Sequence, residues 1–186
     1  MHPLTKDLYD QELTRREHLQ GAIATPLSML TLLGGTVGIL FPRLPHHVAG
    51  PFWVAAVALA LAAASLGYGV YALVRSYVGY MYEGLPLAGP LFEYRKALME
   101  YYSAKDGRAE DGEREFDKLI DERRVAAATR NATHNIRRGA FLHHANIAIV
   151  VTALLVAVAS APTIVYAPKD DAPVRVQLVP APETAP

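Results

Sequence analysis

Three apolar runs organise this chain. No Asp, Glu, Lys or Arg occurs from Ile23 to Pro42, from Val48 to Val74, or from Gly139 to Pro168. A soluble helical domain puts charge on the outer face of every helix. Here charge is separated along the chain instead, as in a polypeptide that divides between lipid and water. A helix rises about 1.5 Å per residue, so about 20 residues cross a hydrocarbon core of about 30 Å. The runs therefore predict three membrane-spanning helices, over 23–42, 52–75 and 145–161. The third is rich in Val and Ile. Its unbroken stretch from Ala145 to Val158 is nevertheless far longer than a strand of about 5–6 residues. The predicted fold class is all-α: an integral membrane bundle of three helices with a helical polar domain.

Small residues predict where these helices touch. Gly34 and Gly38 lie four apart on the first span, and Ala153, Ala157 and Ala161 repeat every four on the third. Such stripes let helix backbones approach closely. The second span offers two stripes, Ala63-Gly67-Tyr71 and Ser65-Gly69. Pro26 falls near the start of the first span, where the first helical turn tolerates proline. About twenty polar residues precede that span, among them Asp7, Asp10, Glu12 and Glu17. It thus reads as a retained anchor rather than a cleaved leader.

The remaining segments are polar. Residues 1–22 read as an amphipathic arm with Leu8, Tyr9, Leu13 and Leu19 as a thin apolar stripe. Glu12 and Arg16 are four apart in the favourable order. Gly21 and Pro26 are the expected bending points. Residues 43–51 form a short loop that contains His46 and His47. The second helix is expected to continue to about Met81, with Glu83-Gly84-Leu85-Pro86 ending it. Residues 76–144 are the predicted cytoplasmic helical domain. It has a helix over Leu87 to Ala104, a polar loop over Lys105 to Gly112, and a helix from Glu113 that runs into the third span. A helix from Glu113 to Ala161 is on the order of 70 Å long. Residues 162–186 hold six prolines in 25 residues and predict an extended tail.

Charge sets the expected orientation. Of eighteen Lys and Arg, three lie in the arm, one (Arg43) in the short loop and two in the tail; the other twelve lie between Arg75 and Arg138. Cytoplasmic segments carry the excess of Lys and Arg. The arm and the middle segment are expected inside a bacterial inner membrane, the short loop and the tail outside. Trp53 then marks the outer interface. Arg75, Tyr77, Tyr80, Tyr82, Arg137, Arg138, His143 and His144 mark the inner one. Net charge is zero, so nothing draws the chain toward nucleic acid. With no cysteine there are no disulfides, thiolate metal sites or cysteine nucleophiles.

Candidate chemistry is sparse. No phosphate-binding glycine loop, Gly-x-Ser-x-Gly or His-Glu-x-x-His occurs. His143 and His144 point about 100° apart on a helix, and the first two spans offer no histidine as an axial partner. They read as polar anchors, and no metal, cofactor or enzymatic activity is expected. Asn131, His134, Asn135 and Arg138 share one helical face. That face either pairs with another helix or with lipid headgroups, or is simply solvated. Glu110, Asp111, Glu113, Glu115, Asp117, Asp121 and Glu122 alternate with Arg114, Lys118, Arg123 and Arg124, a pattern of solvated salt-bridged surface. Apart from Arg75 at the very end of the second, no span contains an ionised residue of the kind that ion-coupled transport commonly requires at depth.

Several of these features together resemble a known layout. They are Glu12 and Arg16, Ala24-Thr25-Pro26-Leu27, Arg75-Ser76-Tyr77, Tyr80-Met81-Tyr82-Glu83-Gly84-Leu85-Pro86, and Asn131 to Arg138 before the last span. The layout resembles a group of small bacterial membrane proteins. It is also similar to SLATT-type membrane effectors of bacterial conflict systems, over most of residues 5 to 160. That resemblance implies oligomerisation and perturbation of the membrane. The third span and the tail depart from the two-span effector pattern. The expected partners are the lipid bilayer and either further copies of the chain or a membrane or cytoplasmic protein. A scaffold anchoring a cytoplasmic partner is the rival expectation, and a channel or transporter component a weaker one.

Overall fold

A computed structural model describes residues 3–44 and 48–166. His46, His47 and the tail beyond 166 lie outside the described residues, including the part of the 162–186 segment expected to be extended. Among the described residues every regular element is helical: α1 (Pro3–Gly21), α2 (Ala24–Leu40), a 3-10 turn (Phe41–Arg43), α3 (Ala49–Tyr77), α4 (Ala88–Asp106) and α5 (Ala109–Val165). Three stretches are long and apolar enough to cross a membrane: Pro3–Arg43, whose apolar part is α2, then Ala49–Tyr77 and Ala109–Val165. The 57 residues of α5 make a rod of about 85 Å that carries both halves of the molecule.

In the apolar half α2, α3 and α5 form a bundle with α3 and α5 as its principal pair. Its interior is built mainly from small side chains, with Leu30, Leu59, Leu73 and Val156 buried among them. Ala55, Ala58, Ala62 and Ala72 of α3 are buried, as are Ala145, Ala148 and Ala159 of α5. Large side chains point outward: Leu32, Leu61 and Leu154 are each more than half exposed, as are Val57, Val150 and Val158. A water-soluble core would be the reverse, with Leu, Val and Ile inside. In lipid, large apolar chains are solvated outside while small ones let backbones close up.

Gly69 lies at a close approach of all three helices of this bundle. A Cβ there would come within 3.0 Å of Leu30 Cδ2 and 3.1 Å of the Ala148 methyl. One turn away, the Ser65 hydroxyl donates to the Ala148 carbonyl at 3.1 Å, a bond between helices. The structure thus selects Ser65-Gly69 over Ala63-Gly67-Tyr71, whose glycine meets nothing within 4 Å. Thr152, on the same face of α5 as Ala148, is fully buried, and its hydroxyl has no hydrogen-bond partner among the described residues.

The predicted packing stripes lie elsewhere. Gly34 meets only Leu66 Cδ2, at 3.6 Å from an added Cβ, and Gly38 meets nothing. Ala153, Ala157 and Ala161 are all exposed. The α5 seam is instead Ala145, Ala148, Thr152, Val156, Ala159 and Thr163. Its steps of three and four average the helical repeat of about 3.6 and stay on one face, whereas strict steps of four drift by about 40° each.

Three boundaries also differ from expectation. The third apolar helix does not stop before Pro162 but continues to Val165, with the Tyr166 N–H bonded to the Pro162 carbonyl at 3.0 Å. Proline there removes one donor near the helix end, where little helix is left to disrupt. Gly112 is not loop. It lies inside α5, where an added Cβ would be 2.9 Å from the Leu98 carbonyl oxygen of α4. The turn between these helices is made by Gly107, at a left-handed φ of 67°. Finally, α3 ends at Tyr77 rather than near Met81, and Gly79 turns the chain away at φ 96°.

In the polar half, α1 and α4 each pack on α5. Arg95 of α4 pairs with Glu113 of α5, and the Tyr102 hydroxyl donates to the Glu115 carboxylate. That carboxylate pushes the Tyr102 phenol up to about 12. On α1 the expected apolar stripe lies on the packed face except at its first residue. Leu8 is exposed, and the half-buried face reads Thr5, Tyr9, Glu12, Leu13, Arg16 and Leu19. The Thr5 hydroxyl donates to Asp121 at 2.8 Å. A turn at Ala22 and Ile23 separates α1 from α2, and Pro26 falls in the first turn of α2 as expected.

Candidate functional site

The two halves meet at a buried polar junction. Asn131 and Asn135 are fully buried on α5, and Arg138 is 2% exposed. Uncompensated, three such groups would cost several kcal/mol, on the order of 1–3 each and more for the cation. Together they are satisfied by three elements, the 78–87 segment, α1 and α3.

Asn131 binds backbone. Its carbonyl oxygen accepts from the Glu83 N–H at 3.0 Å, and its amide donates to the Glu83 carbonyl at 3.0 Å. A side-chain amide has the donor and acceptor of a peptide group, so it pairs with an extended residue as a neighbouring strand would. This holds the segment from Val78 to Leu87 against α5 and explains why helix α3 does not continue into it. Arg130 adds an ion pair to the Glu83 carboxylate.

Asn135 ties in α1. Its amide donates to the Glu12 carbonyl at 3.0 Å and to the Glu12 carboxylate at 2.8 Å, and its oxygen accepts from the Tyr82 hydroxyl at 2.6 Å. Arg138 completes the chain by donating from Nη1 to the Tyr82 hydroxyl at 2.7 Å. The guanidinium and the Glu12 carboxylate are thus linked through Tyr82 and Asn135 rather than in direct contact.

Arg138 also caps α3. Its Nε donates to the Ser76 carbonyl at 2.8 Å. Ser76 is the penultimate residue of α3, so its carbonyl has no partner within the helix. The aligned peptides leave partial negative charge at that end, which a cation offsets. Aromatic rings seat the two arginines: the Arg16 guanidinium lies 4.5 Å from the Tyr82 ring centroid, and that of Arg138 lies 5.8 Å from Tyr80 and 5.7 Å from Tyr82. His134 packs edge-on to Tyr80 and Tyr82, with centroids at 5.6 and 6.0 Å.

The residues expected to pair helices, Asn131, His134, Asn135 and Arg138, are therefore gathered in one place, and they pair α5 with α1, α3 and the 78–87 segment. The interface set divides. Trp53, Arg75, Tyr77, Arg137, His143 and His144 are exposed at the ends of the apolar bundle. Tyr80, Tyr82 and Arg138 turn inward instead, because the junction supplies them with partners. Glu12, Ser76 and Glu83 are members that sequence reasoning placed only in local motifs and not with this face of α5. For Glu12 and Glu83 the contribution includes backbone, which no residue type announces. Compared with protein-family models, with curated proteins and with solved structures, the chain matches none.

Proposed function

We propose that the chain is a non-enzymatic multi-pass membrane protein that works by assembly, with its polar half on the cytoplasmic side of a bacterial inner membrane. One observation carries this reading. The close-packing positions Gly38, Ala153, Ala157 and Ala161 are not used inside the fold and are left open on the outer surface of the apolar bundle. Small residues facing lipid gain little from lipid contact and much from a second helix. A single chain has a bundle interior closed by alanine, so any membrane-perturbing activity of the kind implied by the SLATT-type resemblance belongs to an assembly of copies.

The test is cross-linking of the full chain in bilayers, together with dye leakage from vesicles. Gly38→Leu and Ala157→Leu are expected to lower the oligomer fraction and any leakage together, with the folded monomer intact. A wild-type chain that stays monomeric in the bilayer overturns the reading. A second reading, a scaffold that anchors a cytoplasmic partner, is favoured by Leu87, Phe92 and Tyr101, large apolar side chains exposed on or beside α4. Oligomers without leakage, and a partner lost on Phe92→Ser, would favour it.

A further inference from the structure

We infer that the junction-side end of α3 and α5 forms a site for the phosphate of an anionic phospholipid; this rests on the membrane reading above. Tyr68, Tyr71 and Arg75 lie at i, i+3 and i+7 on one face of α3, and Arg137, Phe141 and His144 at i, i+4 and i+7 on one face of α5. The faces adjoin. The Arg75 guanidinium lies 5.7 Å from the Phe141 ring centroid, and the Tyr68 ring lies 6.5 Å from that of His144 and 6.4 Å from that of Tyr71. Except for half-buried Phe141, these residues are exposed.

Charge around the two arginines is one-sided. No Asp or Glu occurs in 48–82 or in 123–166. The acids that approach from other elements are engaged, Glu12 with Asn135 and Glu83 with Arg130. None of the ion pairs seen among the described residues involves Arg75 or Arg137. Arg138, next in sequence, is spent on the junction, which leaves Arg137 pointing outward. Guanidinium groups present paired donors that fit phosphate oxygens. Tyr71 and Tyr68 continue the same face for about 10 Å toward the middle of the bundle. Their phenol tips and the His144 imidazole fall where the glycerol and ester groups of a lipid lie, beneath a phosphate held at the arginines. Water-soluble phosphate has no use for that second layer, which is why a lipid is the occupant.

Native mass spectrometry of the full chain in detergent, titrated with phosphatidylglycerol or phosphatidylcholine, tests this. Phosphatidylglycerol is expected to bind more tightly. Arg75→Gln and Arg137→Gln should each weaken it about fivefold, with Lys at either position restoring part of the loss. Arg123→Gln, two turns and more from the site, should change nothing. Excess inorganic phosphate at matched ionic strength should not displace the lipid. Equal affinity of wild type and the double Gln variant, an equal loss with Arg123→Gln, or displacement by inorganic phosphate would each overturn the site. Flotation with phosphatidylcholine vesicles separates this from failure of the membrane reading: a chain that floats but shows no lipid preference loses only the site, and one that does not float loses both.

Discussion

The apolar bundle and the polar junction solve the same problem, holding helices together, by opposite means. The bundle uses absence of side chain: Gly69, Ala72, Ala145 and Ala148 bring α3 and α5 together until little remains between them. The junction uses long polar side chains with complete partners: Asn131, Asn135 and Arg138 reach across gaps to backbone carbonyls and to Tyr82. On the membrane reading proposed above, the difference follows from the surroundings. Where large apolar surface is solvated by lipid, contact area between small residues decides packing. Where helix ends leave carbonyls unpaired, donors decide it.

Substitutions sharpen that contrast. The largest effect is expected from Arg138→Ala, which orphans the Ser76 carbonyl and takes from the Tyr82 hydroxyl one of its two partners, leaving only Asn135. It should cost about 3 kcal/mol, read as a lower thermal midpoint in detergent, and should release α1 and the 78–87 segment to proteolysis. Gly112→Ala should cost about 2 kcal/mol, because a backbone carbonyl 2.9 Å away does not yield as a flexible side chain does. Its signature is local: faster amide exchange in α4 with the bundle unchanged. In the bundle, Gly69→Ala should cost about 1 kcal/mol and Gly67→Ala less than about 0.5 kcal/mol, since only the first meets neighbours. Equal losses at the two glycines would break the proposed seam.

Two smaller effects have distinctive signs. Thr152→Val should raise stability by about 1 kcal/mol, because it removes a buried hydroxyl without a partner and keeps the shape. Alkaline titration should loosen α4 from α5. The Tyr102 phenol is raised from 10.0 to about 12 by the Glu115 carboxylate, so its contribution is present below pH 10 and is lost as pH rises toward 12. The group lies at the surface, where solvent screens the interaction, so the effect should be small. Amide exchange in α4 at pH 9 and pH 11.5, against a Tyr102→Phe control that shows no such step, would measure it.

Part of the junction was legible in advance. The spacing of Asn131, His134, Asn135 and Arg138 marked a polar face just below an apolar run, and polar side chains at such a place need partners. Which partners they take was not legible. Glu83 and Ser76 contribute backbone groups, Glu12 lies more than a hundred residues away, and Tyr82 read equally well as a residue at the lipid surface. The end of α3 was missed for the same reason: tyrosines at helical spacing suit a continuing helix until Asn131 offers the Glu83 backbone a better alternative.

Chain chemistry alone settled that there are three long apolar helices, their approximate limits, and the polar character of what lies between them. Those properties follow from runs of residue type and from the rise of a helix, which need no third dimension. The tertiary structure decided which of several equivalent small-residue stripes touch, and that Tyr82 and Arg138 face inward. A stripe states only that a close approach is possible, and the choice among stripes depends on helices far apart along the chain meeting in space.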